Sequence, residues 1–198
     1  LIAVKGKAAT LYGSNKGDIK EALAPMATVL ELAKMQGKAT GIVATSEIMH
    51  ATPADFSAHA VNRKNYNDIS EQQVFQNMDI VFGGGYKFFT SAEREDGQDL
   101  ISEIKGQGYK LVADKNQLST VNSGKVFGLF AQTDLPYELD RKADEPTLAE
   151  LTNKAIQLLG KDKDGFFLMV EGSKVDWAAH NNAPAALVGD IKAFDDAV

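Results

Sequence analysis

In the stretch GFFLMVEGSKVDWAAHNN (165–182), an apolar run from Phe166 to Val170 leads straight into Glu171, and Asp176 and His180 follow. If 165–170 is a strand, Glu171 stands at its carboxyl end. Asp176 and His180, at i and i+4, share one helix face. A carboxylate oxygen and a neutral imidazole nitrogen suit a borderline cation such as zinc. Glu171 can join the same ion or hold a harder one such as magnesium. The competing reading is structural: Asp176 and His180 form an exposed helical pair, and Glu171 caps the following turn.

A second cluster lies in EIMHATPADFSAHAVNRKNY (47–66), which holds His50, Thr52, Asp55, His59 and Arg63. His50 and Thr52 are placed in a strand-to-helix loop, where free backbone N–H groups and the helix dipole favour an anion. Thr52 reads as the N-cap, Pro53 as the first helical residue and Asp55 as the acidic partner three positions on. Arg63 then falls about three turns along, and its guanidinium can grip a phosphate through two parallel hydrogen bonds. Taken singly, Thr52 reads better as a plain cap and Arg63 as a solvated helix end. GGG at 83–85 lacks both the G-x-G-x-x-G spacing and a following Lys-Ser or Lys-Thr, so it reads as a structural turn. No serine has the G-x-S-x-G context of a hydrolase nucleophile.

The elements that must position these residues alternate along the chain. A helix is expected over 25–37, opened by Pro25 and closed by Gly37. Strands are expected at 39–45, 79–85, 109–113, 125–130 and 165–170. Further helices are expected after Thr52, from a Ser70/Gln73 capping box, over 97–108, and after Pro146. Short apolar strands alternating with helices imply an α/β domain around a mainly parallel sheet, whose ligands bind beyond the carboxyl strand ends. With no repeat, low-complexity tract or linker, residues 1–198 read as one domain.

Composition narrows the chemistry. A net charge of −6 argues against a general nucleic-acid-binding role. Without cysteine there are no disulfides, thiolate nucleophiles or Cys-type zinc sites, and with three histidines any metal site must lean on carboxylates. No continuous apolar stretch reaches membrane-spanning length. LIAVKGKAAT at the start is too short and polar for a secretory signal.

Together the two clusters resemble the alkaline phosphatase family. KATGIVATSEIMHATPADFSAHAVNRKNY resembles the family stretch in which a strand leads into D/H-A-T-P-A and a helix ending in arginine. DIVFGGG resembles its glycine-turn strand, and PTLAELTNKAIQLLGKDKDGFFLMVEGSKVDWAAHNN its helix, strand and V-E-G-x-x-[IV]-D-x-x-x-H signature. TLYGSNKGD (10–18) resembles a diverged form of the segment that follows the nucleophile. The resemblance implies a three-layer α/β/α fold and a phosphate monoester hydrolase that works through a phosphoseryl intermediate. It implies Thr52 and Glu171 as magnesium ligands, Asp176 and His180 as zinc ligands, and Arg63 as the residue that binds phosphate oxygens and stabilises the transition state. His50 and Trp177 fall at variable positions near the metals and the phosphate; His with Trp there resembles some cold-adapted bacterial members. The resemblance further implies phosphate monoesters and inorganic phosphate as ligands, a homodimer, and a periplasmic or secreted location.

Some family groups have no counterpart in these 198 residues. The D-S-A-type serine with its preceding metal-binding aspartate is absent, as are an H-E-T-type histidine, an Asp-His pair and a later histidine. By the resemblance, one zinc site has none of its ligands here, and the other zinc site and the magnesium site have two each. The sequence therefore reads as the central portion of an alkaline phosphatase, with little or no turnover by itself. The alternative is a non-catalytic binding or assembly module that keeps the scaffold.

Overall fold

The computed structural model describes residues 4–5 and 24–198. A short antiparallel pair, β1 (Val4–Lys5) and β2 (Ala24–Pro25), comes first in chain order. Among the described residues, the main sheet has five strands: β3 (Ala39–Glu47), β4 (Ile80–Gly84), β5 (Lys110–Val112), β6 (Val126–Leu129) and β7 (Phe166–Glu171). Their order is β5-β6-β4-β3-β7, and every neighbouring pair is parallel. This is the mainly parallel sheet expected from the alternation of apolar strands and helices.

Strands covered by helices on both faces must bury both sets of alternating side chains, and these do. Ile42, Ala44, Val81, Phe127 and Met169 pack into one core with Leu30, Ile69, Leu100 and Ile104. These come from α1 (Val29–Met35), α3 (Tyr66–Phe75) and α4 (Leu100–Gly106), and α2 (Ala51–Ser57) joins the same layer through Ala54. Val43, Ile80, Phe82 and Val126 point to the other core, with Leu118 of α5 (Lys115–Thr120) and Leu148, Leu151, Ala155 and Leu159 of α6 (Leu148–Leu159). Two helix layers thus sandwich one sheet. After β7 the chain ends in α7 (Ser173–His180) and α8 (Pro184–Asp195), packed on each other.

Several local readings need correction. Pro25 lies in β2 and does not open a helix; α1 begins after Thr28, which forms a reciprocal capping box with Glu31. Gly37 does take the left-handed conformation, at φ +78. Thr52 is not an N-cap: His50 has the extended backbone of that position, and Thr52 sits inside the first turn of α2. α2 ends at Ser57, so Arg63 lies in the turn before α3 and not three turns along a helix.

The Ser70/Gln73 capping box is also overturned, because α3 begins at Tyr66. Gln73 is fully buried in mid-helix and donates to Ile48 O at 2.7 Å and to Ser57 Oγ at 3.0 Å. A tertiary tie to the end of β3 thus takes the side chain that local spacing assigns to a cap. The segment TLYGSNKGD lies outside the described residues.

Candidate phosphate and metal site

Parallel α/β sheets place their loops, and hence their ligands, beyond the carboxyl strand ends. Here the relevant ends are those of β3 and β7, which are hydrogen-bonded neighbours, with Ala44 opposite Glu171. The β3–β4 register slips between Val43 and Glu47. Such a bulge bends a strand and turns its last residues in a new direction. Beyond it come Glu47, then Ile48 and Met49, both fully buried, and then His50.

His50 and Trp177 meet edge to face, with ring centroids 5.2 Å apart and planes at 74°. Arg63 Nη2 lies 3.3 Å from His50 Nε2. A guanidinium can only donate, so Nε2 accepts and His50 is neutral, with its proton on Nδ1. The electrostatics agree: burial and then the Arg63 charge hold the imidazole below its ordinary pKa, against the pull of Glu171, Glu47 and Asp176. Those three carboxylates thus act on one imidazole, which joins the 47–66 cluster to the 165–182 cluster.

Glu171 is held in place by the protein itself. Ser173 Oγ donates to Glu171 Oε2 at 2.7 Å and accepts the Ser46 N–H at 3.2 Å. Ser173 is itself buried. A hydrogen bond from a neighbour is what fixes a ligating carboxylate in orientation. Asp176 and His180 differ in character: Oδ1 and Nε2 are 3.4 Å apart, and their side chains are 70% and 78% exposed. Thr52 is half-buried in the first turn of α2, a helix that packs on β7 through a stacked Phe56–Phe167 pair at 5.8 Å.

The donor chemistry fits the ions that the sequence implies. Thr52 and Glu171 offer hard oxygens suited to magnesium, and Asp176 with His180 offers the oxygen and nitrogen suited to zinc. The number of donors is small: no group of three acidic or histidine side chains gathers at one point among the described residues. The third histidine, His59, is elsewhere, with Nε2 2.9 Å from Glu31 Oε1.

Four residues at this edge escaped the sequence reading. Ser173 orients Glu171. Glu47 acts electrostatically on His50, Tyr66 and Lys174. Lys174 is buried, with its ammonium bonded to Asp134 of the loop after β6. Burial pulls the Lys174 pKa down to about 8, while Glu47 and Asp190 oppose this. The contacting Asp134 carboxylate also favours the charged form. The G-S after Glu171 is a local sign of the serine; the other three carry no local signature.

Comparison with known proteins gives one answer. The family profile described as alkaline phosphatase matches residues 1–198. Alkaline phosphatase 3 of Bacillus subtilis is 46% identical over 176 residues, covering 86% of this chain and 37% of that protein. The cold-active alkaline phosphatase of a psychrophilic Shewanella superposes with a TM-score of 0.80 at 38% identity, over 87% of this chain and 42% of its own. The Thermus thermophilus alkaline phosphatase superposes at 0.83 and 35%, over 87% and 37%. A mutant alkaline phosphatase from the Antarctic bacterium TAB5, described with magnesium in its M3 site, superposes at 0.78 and 33%, over 88% of this chain and 50% of its own. The chain spans half or less of the length of each of these proteins.

Proposed function

The chain belongs to the alkaline phosphatase family, and from that premise we propose that its residues serve metal-dependent hydrolysis of phosphate monoesters. The observation that carries this reading is the junction at the β3 and β7 ends, where Arg63, His50 and Trp177 meet the carboxylate end of β7 and the first turns of α7.

Arg63 would grip two non-bridging oxygens of a phosphate dianion, which needs a planar pair of donors. Neutral His50 accepts one Arg63 N–H and so restrains the fork, leaving the remaining donors for the ligand. Glu171 with Thr52 would hold magnesium, and Asp176 with His180 zinc. These cations, when bound, supply positive charge at the oxygens that enter and leave phosphorus. Magnesium in the M3 site of a superposable TAB5 mutant supports a magnesium ion, and the choice of Thr52 and Glu171 rests on their hard oxygens. Zinc is supported by the imidazole–carboxylate pair alone.

These 198 residues hold no serine in the family's nucleophile context and only three histidines. They therefore provide the phosphate grip and part of the metal set, with little turnover by themselves. The test pairs product binding with hydrolysis. With zinc and magnesium present, the protein should bind inorganic phosphate yet release p-nitrophenol from p-nitrophenyl phosphate near the uncatalysed rate. Absence of phosphate binding would overturn the phosphatase reading. Turnover that Arg63→Ala abolishes would show that a nucleophile lies within these residues.

A further inference from the structure

Lys174 is 4% exposed, in a segment of α7 whose neighbours face the site. Its ammonium lies 4.3 Å from the Trp177 ring centroid and 5.0 Å from that of Tyr137, and it bonds Asp134 Oδ2. A buried cation is costly unless it is paired, and here one carboxylate and two ring faces share it.

The loop that carries Asp134 is tied to the sheet by backbone hydrogen bonds. Gly85 N–H donates to Ala131 O at 3.1 Å and Thr133 O at 2.6 Å, and Leu135 N–H donates to Thr45 O at 3.0 Å. The loop that carries Asp134 passes so close to β4 that a Cβ added at Gly84 would lie 1.9 Å from Thr133 O. On its other side Trp177 meets His50, and His50 accepts from Arg63. One line of contacts, Asp134–Lys174–Trp177–His50–Arg63, therefore runs from a pinned loop to the phosphate-gripping guanidinium.

We propose that Lys174 is a positioning residue of the phosphate site: its charge, anchored by Asp134, holds the Trp177 ring where it backs His50 and thereby aims Arg63. This rests on the reading of Arg63 as the phosphate ligand. Charge is the operative property, because a methionine of similar length fills the same space yet forfeits both the ion pair and the attraction to the rings.

Trp177 is the single tryptophan of the chain, so its fluorescence reports on this line of contacts directly. The experiment is a titration of the zinc- and magnesium-loaded protein with inorganic phosphate, followed by Trp177 emission and by calorimetry. The proteins are wild type, Lys174→Met, Lys174→Arg, Asp134→Asn, Arg63→Ala and the Arg63→Ala/Lys174→Met double variant. Lys174→Met is expected to shift Trp177 emission in the absence of phosphate and to weaken phosphate binding about tenfold, with Lys174→Arg restoring most of it. Asp134→Asn is expected to act in the same direction and serves if Lys174→Met does not fold. In the Arg63→Ala background, Lys174→Met should have no further effect.

Phosphate affinity within about twofold of wild type in Lys174→Met, or a full additive loss in the double variant, would overturn the proposal while leaving Arg63 in its role. Phosphate affinity unchanged by Arg63→Ala would overturn the underlying reading instead, and this proposal with it.

Discussion

The two ends of one short segment are built in opposite ways. Glu171 leaves β7 with Ser173 Oγ on one carboxylate oxygen, and Ser173 in turn takes the Ser46 N–H of the neighbouring strand. Two turns on, Asp176 and His180 face solvent with a 3.4 Å approach to each other. The carboxylate at the sheet edge is organised by the fold itself, whereas the helix pair owes its geometry to helical spacing alone. A preorganised ligand spends little ordering entropy when an ion arrives, and an exposed pair of mobile side chains spends more. On the proposed assignment, the Glu171 carboxylate of the magnesium site is thus oriented by the fold, whereas the Asp176–His180 pair of the zinc site is left to be ordered when an ion binds.

The sharpest way to break this contrast is to remove the hydroxyl that separates the halves. Ser173→Ala should lower magnesium affinity about tenfold while leaving zinc affinity within about twofold, as read by calorimetric titration of each ion. It should also cost about 1–2 kcal/mol in urea denaturation, because the Ser46 N–H loses its acceptor in a buried position. Equal losses for both ions would show that the halves are not distinct.

A smaller effect concerns the packed half at high pH. Burial and then the Glu47 carboxylate push the Tyr66 phenol up to about 12, with Arg63 pulling the other way. A phenol whose folded pKa lies above its unfolded value of about 10 contributes stability in full below that pH and loses it as pH rises toward about 12. Tyr66→Phe should therefore flatten the decline of urea midpoints above pH about 10, by of order 1 kcal/mol once partial exposure is discounted. An unchanged slope would place the alkaline sensitivity elsewhere.

The smallest effect belongs to the exposed half. Asp176→Ala or His180→Ala should change metal-free stability by less than about 0.5 kcal/mol, since an exposed i,i+4 pair contributes little. A loss of more than about 1 kcal/mol would mean that the pair is structural and would weaken its assignment as a waiting ligand set.

The range of each interaction decides how much of this was legible in the sequence. β7 and α7 lie where the apolar run and the 176/180 spacing place them, because both signals are local. Gly37 reads correctly for the same reason. Thr52 and Gln73 mislead because cap patterns are short: the extended residue before α2 is His50, and Gln73 bonds Ile48 O just past β3 instead of a helix end. Arg63 keeps its predicted neighbourhood although its helix ends early, since the turn carries it back to His50. Lys174 and Asp134 could not be paired from spacing: they are 40 residues apart, joined only when β3 lies between β4 and β7.

The measurement that bears most directly on the account is calorimetric titration of inorganic phosphate into wild type and Arg63→Ala, each with zinc and magnesium and again after chelation. Phosphate binding that requires the metals and weakens at least about tenfold in Arg63→Ala is the predicted result. Binding that survives both chelation and loss of the guanidinium would contradict the assignment of this sheet edge as a metal-assisted phosphate site.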